Sequence, residues 1–255
     1  MPPIDAALTN CPVWFDLSTS DLDAAKTLYS DLFGWTYQDS GPEMGHYTMA
    51  FSNGRAAAAI APKMPGQESA PVVWTTYFGV SDAAATSERI TDAGGSMMFE
   101  PMQVGDVGHM AIAMDPDGAA FGLWQAGTFS GAGVEGEHGA MAWCEVNSKD
   151  AVANAAFYAR VFDLTSQKLE MPGPTYFTLH QGEPAVAGVL QMDEHWAGIL
   201  PHWMPYFAVA QLADADACVT KHGGKLLHGP IDSPYGRIMV VQDAQGAIFS
   251  YISEA

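Results

Sequence analysis

Residues 14–35 read WFDLSTSDLDAAKTLYSDLFGW, and residues 143–164 read WCEVNSKDAVANAAFYARVFDL. The two stretches keep the same aromatic positions at a constant separation of 129 residues: Trp14 and Trp143, Tyr29 and Tyr158, Phe33 and Phe162. The match continues downstream at separations of 129 or 128 residues: Tyr77 and Tyr206, Gly94 and Gly223, Asp115 and Asp243. A repeat of this length is a duplicated domain rather than a solenoid unit. The sequence therefore predicts two similar domains in one chain.

Each half of the chain divides again into two copies of a smaller pattern. Residues 12–17 (PVWFDL) have the composition of a strand, and the next residues place apolar side chains at helical spacing up to Gly34. Three strand-like runs follow, and the pair Asn53-Gly54 between two of them is typical of a hairpin turn. The pattern restarts at Trp74. We therefore predict four β-α-β-β-β units.

The stretch between the two halves, residues 127–138 (GTFSGAGVEGEH), is rich in glycine and is predicted to be a linker. The domains are accordingly predicted to cover residues 10–126, which we name the first repeat, and residues 139–253, which we name the second repeat. The linker contains a G-x-G-x-x-G match at residues 131–136, but this match neither follows a strand nor opens a helix. It does not indicate a dinucleotide site.

The amino-acid composition limits which classes of molecule the chain is expected to bind. The chain has 10 Lys and Arg against 29 Asp and Glu, a formal net charge of −19, which disfavours nucleic acids and anionic membranes. Three scattered cysteines are too few for a disulfide framework or a zinc motif. No basic segment precedes an apolar core at the N-terminus, and no apolar run suits a membrane helix. We expect a cytoplasmic protein whose partner is a small molecule.

Four such units in tandem resemble the glyoxalase/bleomycin-resistance/extradiol-dioxygenase superfamily, also called vicinal oxygen chelate proteins. The resemblance covers about residues 11–253, and its motifs are residues 14–35 above, DPDGAAFGLWQ (115–125) and GRIMVVQDAQGAIFSYI (236–252). In particular the chain resembles bacterial tandem glyoxalase-like proteins often labelled hydroxylases or glyoxalases. The resemblance implies an α+β fold with two cupped, barrel-like sheets, each built from two units around a pocket.

The resemblance also implies where a metal would bind. Metal enzymes of the family hold a divalent ion with His, Gln or Glu on the first strand of each unit and Glu on the last strand. The corresponding positions in this sequence are Trp14, Thr75, Trp143, Met204, Gly122 and Ser250. None of these side chains is a good ligand for such an ion. We expect no cofactor and no metal at the family's position, and a divalent metal around Glu145 and His202 is the alternative.

Two pairs of residues are the leading candidates for a site. Trp14 with Asp16, and Trp143 with Glu145, each place an indole and an acid two residues apart, on one face of a strand. An indole wall beside a buried carboxylate would form a pocket with a hydrogen-bond acceptor or a general base of raised pKa. The alternative is that the indoles are core residues and the acids are solvated or paired with arginine.

Other candidates also recur in both halves. Four tyrosines could bind a ligand oxygen, or could belong to the core: Tyr47, Tyr176, Tyr77 and Tyr206. His109 and Arg237 follow Gly108 and Gly236, and each could face an anionic or carbonyl group, or could pair with a local carboxylate. His202 shares a strand face with Met204 and is a further contact for a ligand.

The sequence therefore predicts a small-molecule pocket protein that lacks the usual metal ligands. If it is an enzyme, we expect a metal-independent lyase, isomerase or hydroxylase-type reaction on a carbonyl- or hydroxyl-bearing metabolite. Asp16 or Glu145 would be the base, and His109 or Arg237 the electrophilic helper. Where only one pocket is active, we expect it in the second repeat, which has both an acid and a histidine.

Two alternatives remain open at this stage. One is non-catalytic sequestration of the bleomycin-resistance type, in which the acidic charge suits a cationic ligand and the tryptophans suit a planar one. The other is a metal-dependent glyoxalase- or dioxygenase-like enzyme with rearranged ligands. A monomer is expected, because two repeats in one chain can supply the pairing that single-domain relatives obtain as dimers, and a homodimer is the alternative.

Overall fold

A computed structural model describes residues 8–170 and 173–253. The strands of the first repeat are β1 (Pro12–Thr19), β2 (Thr36–Asp39), β3 (Thr48–Ser52), β4 (Arg55–Pro62), β5 (Val73–Gly79), β6 (Ser96–Val104), β7 (Gly108–Met114) and β8 (Ala120–Ala126). The strands of the second repeat are β9 (Met141–Ser148), β10 (Thr165–Leu169), β11 (Tyr176–His180), β12 (Ala185–Gln191), β13 (His202–Ala208), β14 (Lys225–Ser233), β15 (Gly236–Gln242) and β16 (Ile248–Ser253). The α-helices are α1 (Leu22–Phe33), α2 (Ala83–Asp92), α3 (Ala151–Val161) and α4 (Leu212–Lys221).

Each repeat forms one eight-stranded mixed sheet. The first sheet has the order β2-β3-β4-β1-β5-β8-β7-β6, and the second repeats it as β10-β11-β12-β9-β13-β16-β15-β14. In each sheet the first strands of two β-α-β-β-β units pair antiparallel at the centre, β1 with β5 and β9 with β13. The predicted α+β fold and the four units are confirmed. The sheets are curled but not closed, because no pairing in residues 8–170 and 173–253 joins the two end strands.

Short-range chemistry explains where the helices begin and end. Asp21, Asp82 and Asp150 precede α1, α2 and α3, and each carboxylate accepts a hydrogen bond from a backbone N–H in the first turn of its helix. Gly34 ends α1 with φ of 70°, a conformation that glycine adopts without steric cost. The Asn53-Gly54 turn between β3 and β4 has φ of 49° and 76°, as the hairpin pattern predicts.

The two faces of each sheet have different neighbours. On β1, Phe15 and Leu17 are fully buried in the main apolar core, which contains helix residues and side chains from both repeats. Aromatic rings join the repeats there: the Phe78 and Phe162 centroids are 4.3 Å apart in a stacked arrangement. Trp14 and Asp16 alternate with Phe15 and Leu17, so they lie on the opposite face, which we name the inner face. No helix in the described part of the chain is long and apolar enough to cross a membrane.

Reciprocal polar contacts also hold the repeats together. Asp115, in the turn after β7, accepts hydrogen bonds from the Tyr158 hydroxyl at 2.9 Å and the Asn154 amide at 2.8 Å, both on α3. Its other oxygen accepts from the backbone N–H groups of residues 117, 118 and 119. In the second repeat, Asp243 accepts from the Tyr29 hydroxyl of α1 at 3.1 Å. Each repeat thus inserts a turn carboxylate against a helix of the other.

Candidate functional site

The inner face of the second repeat brings four predicted site residues together. The Tyr176 hydroxyl donates to Glu145 Oε2 at 2.7 Å, and the Tyr206 hydroxyl donates to Glu145 Oε1 at 2.6 Å. Trp143 Nε1–H donates to the Tyr176 hydroxyl at 2.9 Å. Strand pairing fixes this arrangement, because Glu145 on β9 lies opposite Met204 on β13, two residues before Tyr206. We name these four residues the Glu145 cluster.

The first repeat contains the same arrangement with an aspartate. Trp14 Nε1–H donates to the Tyr47 hydroxyl at 2.8 Å, and this hydroxyl donates to Asp16 Oδ2 at 3.2 Å. The Tyr77 hydroxyl also interacts with the Asp16 carboxylate. The duplication has therefore kept an indole, two phenols and an acid at equivalent positions. The bond between phenol and carboxylate is 0.5 Å longer here than the 2.7 Å bond in the second repeat.

A glycine accounts for the close approach in the second repeat. Gly188 lies opposite Glu145 on β12, and a Cβ atom at this position would be 2.0 Å from the Tyr176 hydroxyl oxygen. The phenol therefore occupies space that any larger residue would need. The first repeat has Ala59 at the equivalent position, opposite Asp16. Sequence reasoning missed this residue, although the exchange of alanine for glycine between the repeats was visible.

Replacing Gly188 with Ala is expected to lower the free energy of unfolding by about 1–3 kcal/mol, because the new methyl group displaces the Tyr176 hydroxyl from its two hydrogen bonds. Urea unfolding measures the loss, and the indole N–H resonance of Trp143 should move. The Ala59→Gly variant is the matched control, with an expected loss of no more than about 1 kcal/mol. Unchanged stability and an unchanged Trp143 resonance in Gly188→Ala would contradict this account.

Burial raises the pKa of both acids. Desolvation raises the pKa of Glu145, and the hydrogen bonds from Tyr206, Tyr176 and Trp143 offset part of that rise. Desolvation likewise raises the pKa of Asp16 to about 6. Neither acid has a Lys or Arg partner within the described residues, so the predicted alternative of pairing with arginine is not found there. Both carboxylates rely on neutral donors.

His109 and Arg237 lie away from these clusters. On β7, Met110 and Ile112 belong to the inner face, whereas Ala111 and Ala113 are buried in the main core, and strand alternation places His109 with the latter pair. Arg237 shares its face with Met239 of the main core, is exposed, and donates from Nε to Asp232 at 3.0 Å. The structure therefore does not place either residue beside Asp16 or Glu145.

His202 lies on the inner face near Glu145 but has partners of its own. Its Nδ1–H donates to the Leu200 carbonyl at 2.8 Å, and Nε2 accepts from the Asn147 amide at 3.1 Å. Burial lowers the pKa of His202, which favours the neutral imidazole. Asn147 was not singled out from the sequence. The first repeat has Ser18 and Val73 at these two positions, so the pair distinguishes the second repeat.

The side chains present do not fit the family's metal. In the first repeat the Tyr77 ring covers Gly122, where a Cβ atom would be 2.0 Å from that ring, so the ring occupies the space of a last-strand carboxylate. In the second repeat the equivalent position is Ser250, which lies opposite Tyr206. Within residues 8–170 and 173–253, no three His, Cys, Asp or Glu side chains gather as a metal site. Glu145 and His202 alone supply too few ligands to hold such an ion.

The chain matches a family model and known proteins in sequence. A sequence model described as the glyoxalase/bleomycin resistance protein/dioxygenase superfamily matches residues 12–123. The chain is 40% identical over 263 residues to the protein named "Putative glyoxylase CFP32" of Mycobacterium tuberculosis (strain CDC 1551 / Oshkosh), covering 100% of this chain and 99% of that protein. It is 37% identical over 257 residues to the anthracycline biosynthesis protein DnrV of Streptomyces peucetius, covering 94% and 92%.

Solved structures share the fold. The 2,3-dioxygenase LapB from Pseudomonas sp. KL28 superposes with a TM-score of 0.64 at 13% identity, covering 98% of this chain and 94% of that one. The Mn(II)-bound glyoxalase from Novosphingobium aromaticivorans superposes with a TM-score of 0.62 at 14% identity, covering 96% and 82%. At these identities the likeness shows the common architecture alone.

Proposed function

Because the chain belongs to the glyoxalase/bleomycin resistance protein/dioxygenase superfamily, we propose that its second repeat is a small-molecule enzyme site in which Glu145 moves a proton on a carbonyl- or hydroxyl-bearing substrate. The observation that supports this is the buried Glu145 carboxylate on the inner face, held by two phenols and raised in pKa by desolvation. A carboxylate in such surroundings is suited to general base catalysis.

Isomerisation of a hydroxycarbonyl compound is a reaction that one base can carry out without a further reactant. Ionised Glu145 removes a proton from the carbon next to the carbonyl, and the electron pair of that C–H bond becomes part of an enediolate. The hydroxyl proton passes to the former carbonyl oxygen, so that the hydroxyl oxygen becomes the new carbonyl oxygen, and the carboxyl group returns its proton to the neighbouring carbon. Tyr176 and Tyr206 keep the carboxylate oriented, and a phenol released when Glu145 is protonated can donate to the enediolate oxygen.

The test is deuterium incorporation from solvent. The protein is incubated in D₂O with hydroxyketones such as hydroxyacetone and 2-hydroxyacetophenone, and the C–H signal next to the carbonyl is followed by NMR. We expect loss of that signal faster than in buffer alone, and no acceleration with Glu145→Gln. A wild-type protein that binds these compounds without accelerating exchange would contradict the proposal.

The exchange rate is expected to depend on pH through Glu145. A base must be ionised, and burial raises the pKa of Glu145 above its ordinary 4.5, so the rate should fall as pH drops through the raised pKa. The rate constant at low substrate concentration, measured between pH 4 and 8, should therefore be half-maximal above pH 4.5. The Asp16→Asn variant should keep the same profile. A profile that is flat down to the ordinary pKa would rule out Glu145 as the base.

Both Glu145 carboxylate oxygens already accept hydrogen bonds from phenols, which also suits a second candidate function, the non-catalytic binding of a small molecule at the Glu145 cluster. In that case the phenols would serve to hold Glu145 as a hydrogen-bond acceptor, and the net charge of −19 would favour a cationic ligand. The exchange experiment separates the two functions, because a binder takes up the ligand without accelerating proton transfer.

A further inference from the structure

The inner face of the first repeat contains an aromatic ring from the linker. The Phe129 ring meets the Trp14 ring edge-on, with centroids 4.8 Å apart and an interplanar angle of 84°. The Phe129 backbone carbonyl accepts a hydrogen bond from Trp124 Nε1–H at 2.9 Å, which fixes the segment after β8. Phe129 thereby joins an apolar cluster that includes Met110 and Ile112 and fills this face.

In the part of the chain that the structure describes, no aromatic ring lies at the equivalent place in the second repeat. Trp143 makes no ring contact with any residue that the structure describes, and it is half-buried, whereas Trp14 is only 3% exposed. Ile252 stands at the position of Trp124, at the repeat separation of 128 residues. Among the described residues, the apolar cluster of the first repeat contains an aromatic ring on the indole, whereas the inner face of the second repeat has the buried side chains of Met204 and Tyr206 but no ring packed against Trp143.

The polar part of the two places is nevertheless the same. In each repeat an indole N–H donates to a phenol, and that phenol donates to the acid. The first repeat therefore has an aromatic ring packed on its indole, and the second, within the described residues, has a half-buried indole with no ring against it.

We propose that Phe129 takes, in the first repeat, the position that an aromatic ring of the ligand takes beside Trp143 in the second. The chain then binds one ring-bearing ligand, in the second repeat, with a hydroxyl or carbonyl group directed to the Glu145 cluster. The edge-on geometry of Phe129 on Trp14 indicates that a flat ring is favoured over a saturated ring of similar size. This inference rests on the proposed function only in placing the ligand in the second repeat.

The test uses indole N–H resonances of the ¹⁵N-labelled protein. The chain has seven tryptophans, and Trp14→Phe and Trp143→Phe assign the two signals of interest. The probe is 2-hydroxyacetophenone, and its matched control is the cyclohexyl analogue with the same hydroxycarbonyl group. In the wild type we expect the probe to shift the Trp143 signal and leave Trp14 unchanged, and we expect about five-fold weaker binding of the cyclohexyl analogue.

Phe129→Ala should remove the ring that packs on Trp14. The probe can then bind beside Trp14 as well, and should shift both the Trp14 and the Trp143 signals. Phe129→Leu keeps an apolar side chain against Trp14 and is expected to behave as the wild type. This variant still tests the proposal if the alanine variant unfolds. The proposal is overturned if the Trp14 signal shifts in the wild type, if it fails to shift in folded Phe129→Ala, or if the saturated ring binds as well as the aromatic one.

These results are independent of proton transfer. Binding of the aromatic probe without deuterium exchange would refute the enzyme and keep the inference. Equal exchange of aromatic and saturated substrates at equal affinity would keep the enzyme and refute the inference.

Discussion

Replacing Glu145 with Gln is expected to lower the rate of substrate proton exchange by about 10²- to 10⁴-fold, because the amide has no lone pair basic enough to accept the proton. The variant keeps the size of the side chain, and its carbonyl oxygen still accepts from one of the two phenols. The amide NH₂ group cannot accept the second phenol hydrogen bond. Ligand binding should therefore weaken much less than the rate. Single-turnover exchange in D₂O and a separate binding titration measure the two effects.

The first repeat supplies the control for that experiment. Asp16→Asn removes the equivalent acid, whose phenol bond is longer and whose indole is already covered by Phe129. We expect its exchange rate to stay within about two-fold of the wild type, since the aromatic contacts made by Phe129 exclude the ligand from the space beside Trp14. A large loss in Asp16→Asn together with a small loss in Glu145→Gln would transfer the site to the first repeat.

The largest expected effect on stability is at the contact between the repeats. Asp115→Ala should lower the free energy of unfolding by about 3–5 kcal/mol, because it leaves buried donors of Asn154, Tyr158 and the turn backbone without their acceptor. Such a loss is a large share of the stability of an ordinary domain. Urea unfolding followed by tryptophan fluorescence measures the change.

Asp232→Ala serves as the reference for removal of a carboxylate. Asp232 is exposed and pairs with Arg237 at the surface, so its loss should cost less than about 1 kcal/mol. Similar losses for Asp115→Ala and Asp232→Ala would show that the buried turn carboxylate contributes little.

Much of the fold and part of the candidate site could be predicted from the sequence. The repeat spacing predicts the four units, because a duplicated pattern must fold twice in the same way. Strand alternation predicts that Trp14 shares a face with Asp16, and Trp143 with Glu145. The structure adds that the tyrosines predicted separately belong to the same hydrogen-bonded groups, since strands distant along the chain meet there. The catalytic roles of these residues remain predictions.

Other features depend on contacts that a pattern does not reveal. His109 and Arg237 are each one residue away along their strands from residues of the inner face. Because side chains alternate along a strand, a difference of one residue moves a side chain to the other face of the sheet. Phe129 belongs to a stretch predicted only as a linker. Its ring contact with Trp14 depends on how that linker packs against the inner face of the first repeat. The sequence identified Asp115 only as a position repeated at Asp243, because its hydrogen-bond partners on α3 are far along the chain.

The reciprocal contacts between the repeats have a consequence for symmetry. Tyr158 meets Asp115, and Tyr29 meets Asp243, so exchanging the two repeats maps one contact onto the other. Contacts that map onto each other in this way define an isologous interface, with an approximate two-fold axis between the halves. A single repeat carries both the turn carboxylate and the helix tyrosine, which makes that surface self-complementary. The chain therefore has the internal symmetry of a homodimer whose two subunits are joined in one chain. In a single chain the two halves can carry different side chains on their inner faces, which identical subunits cannot.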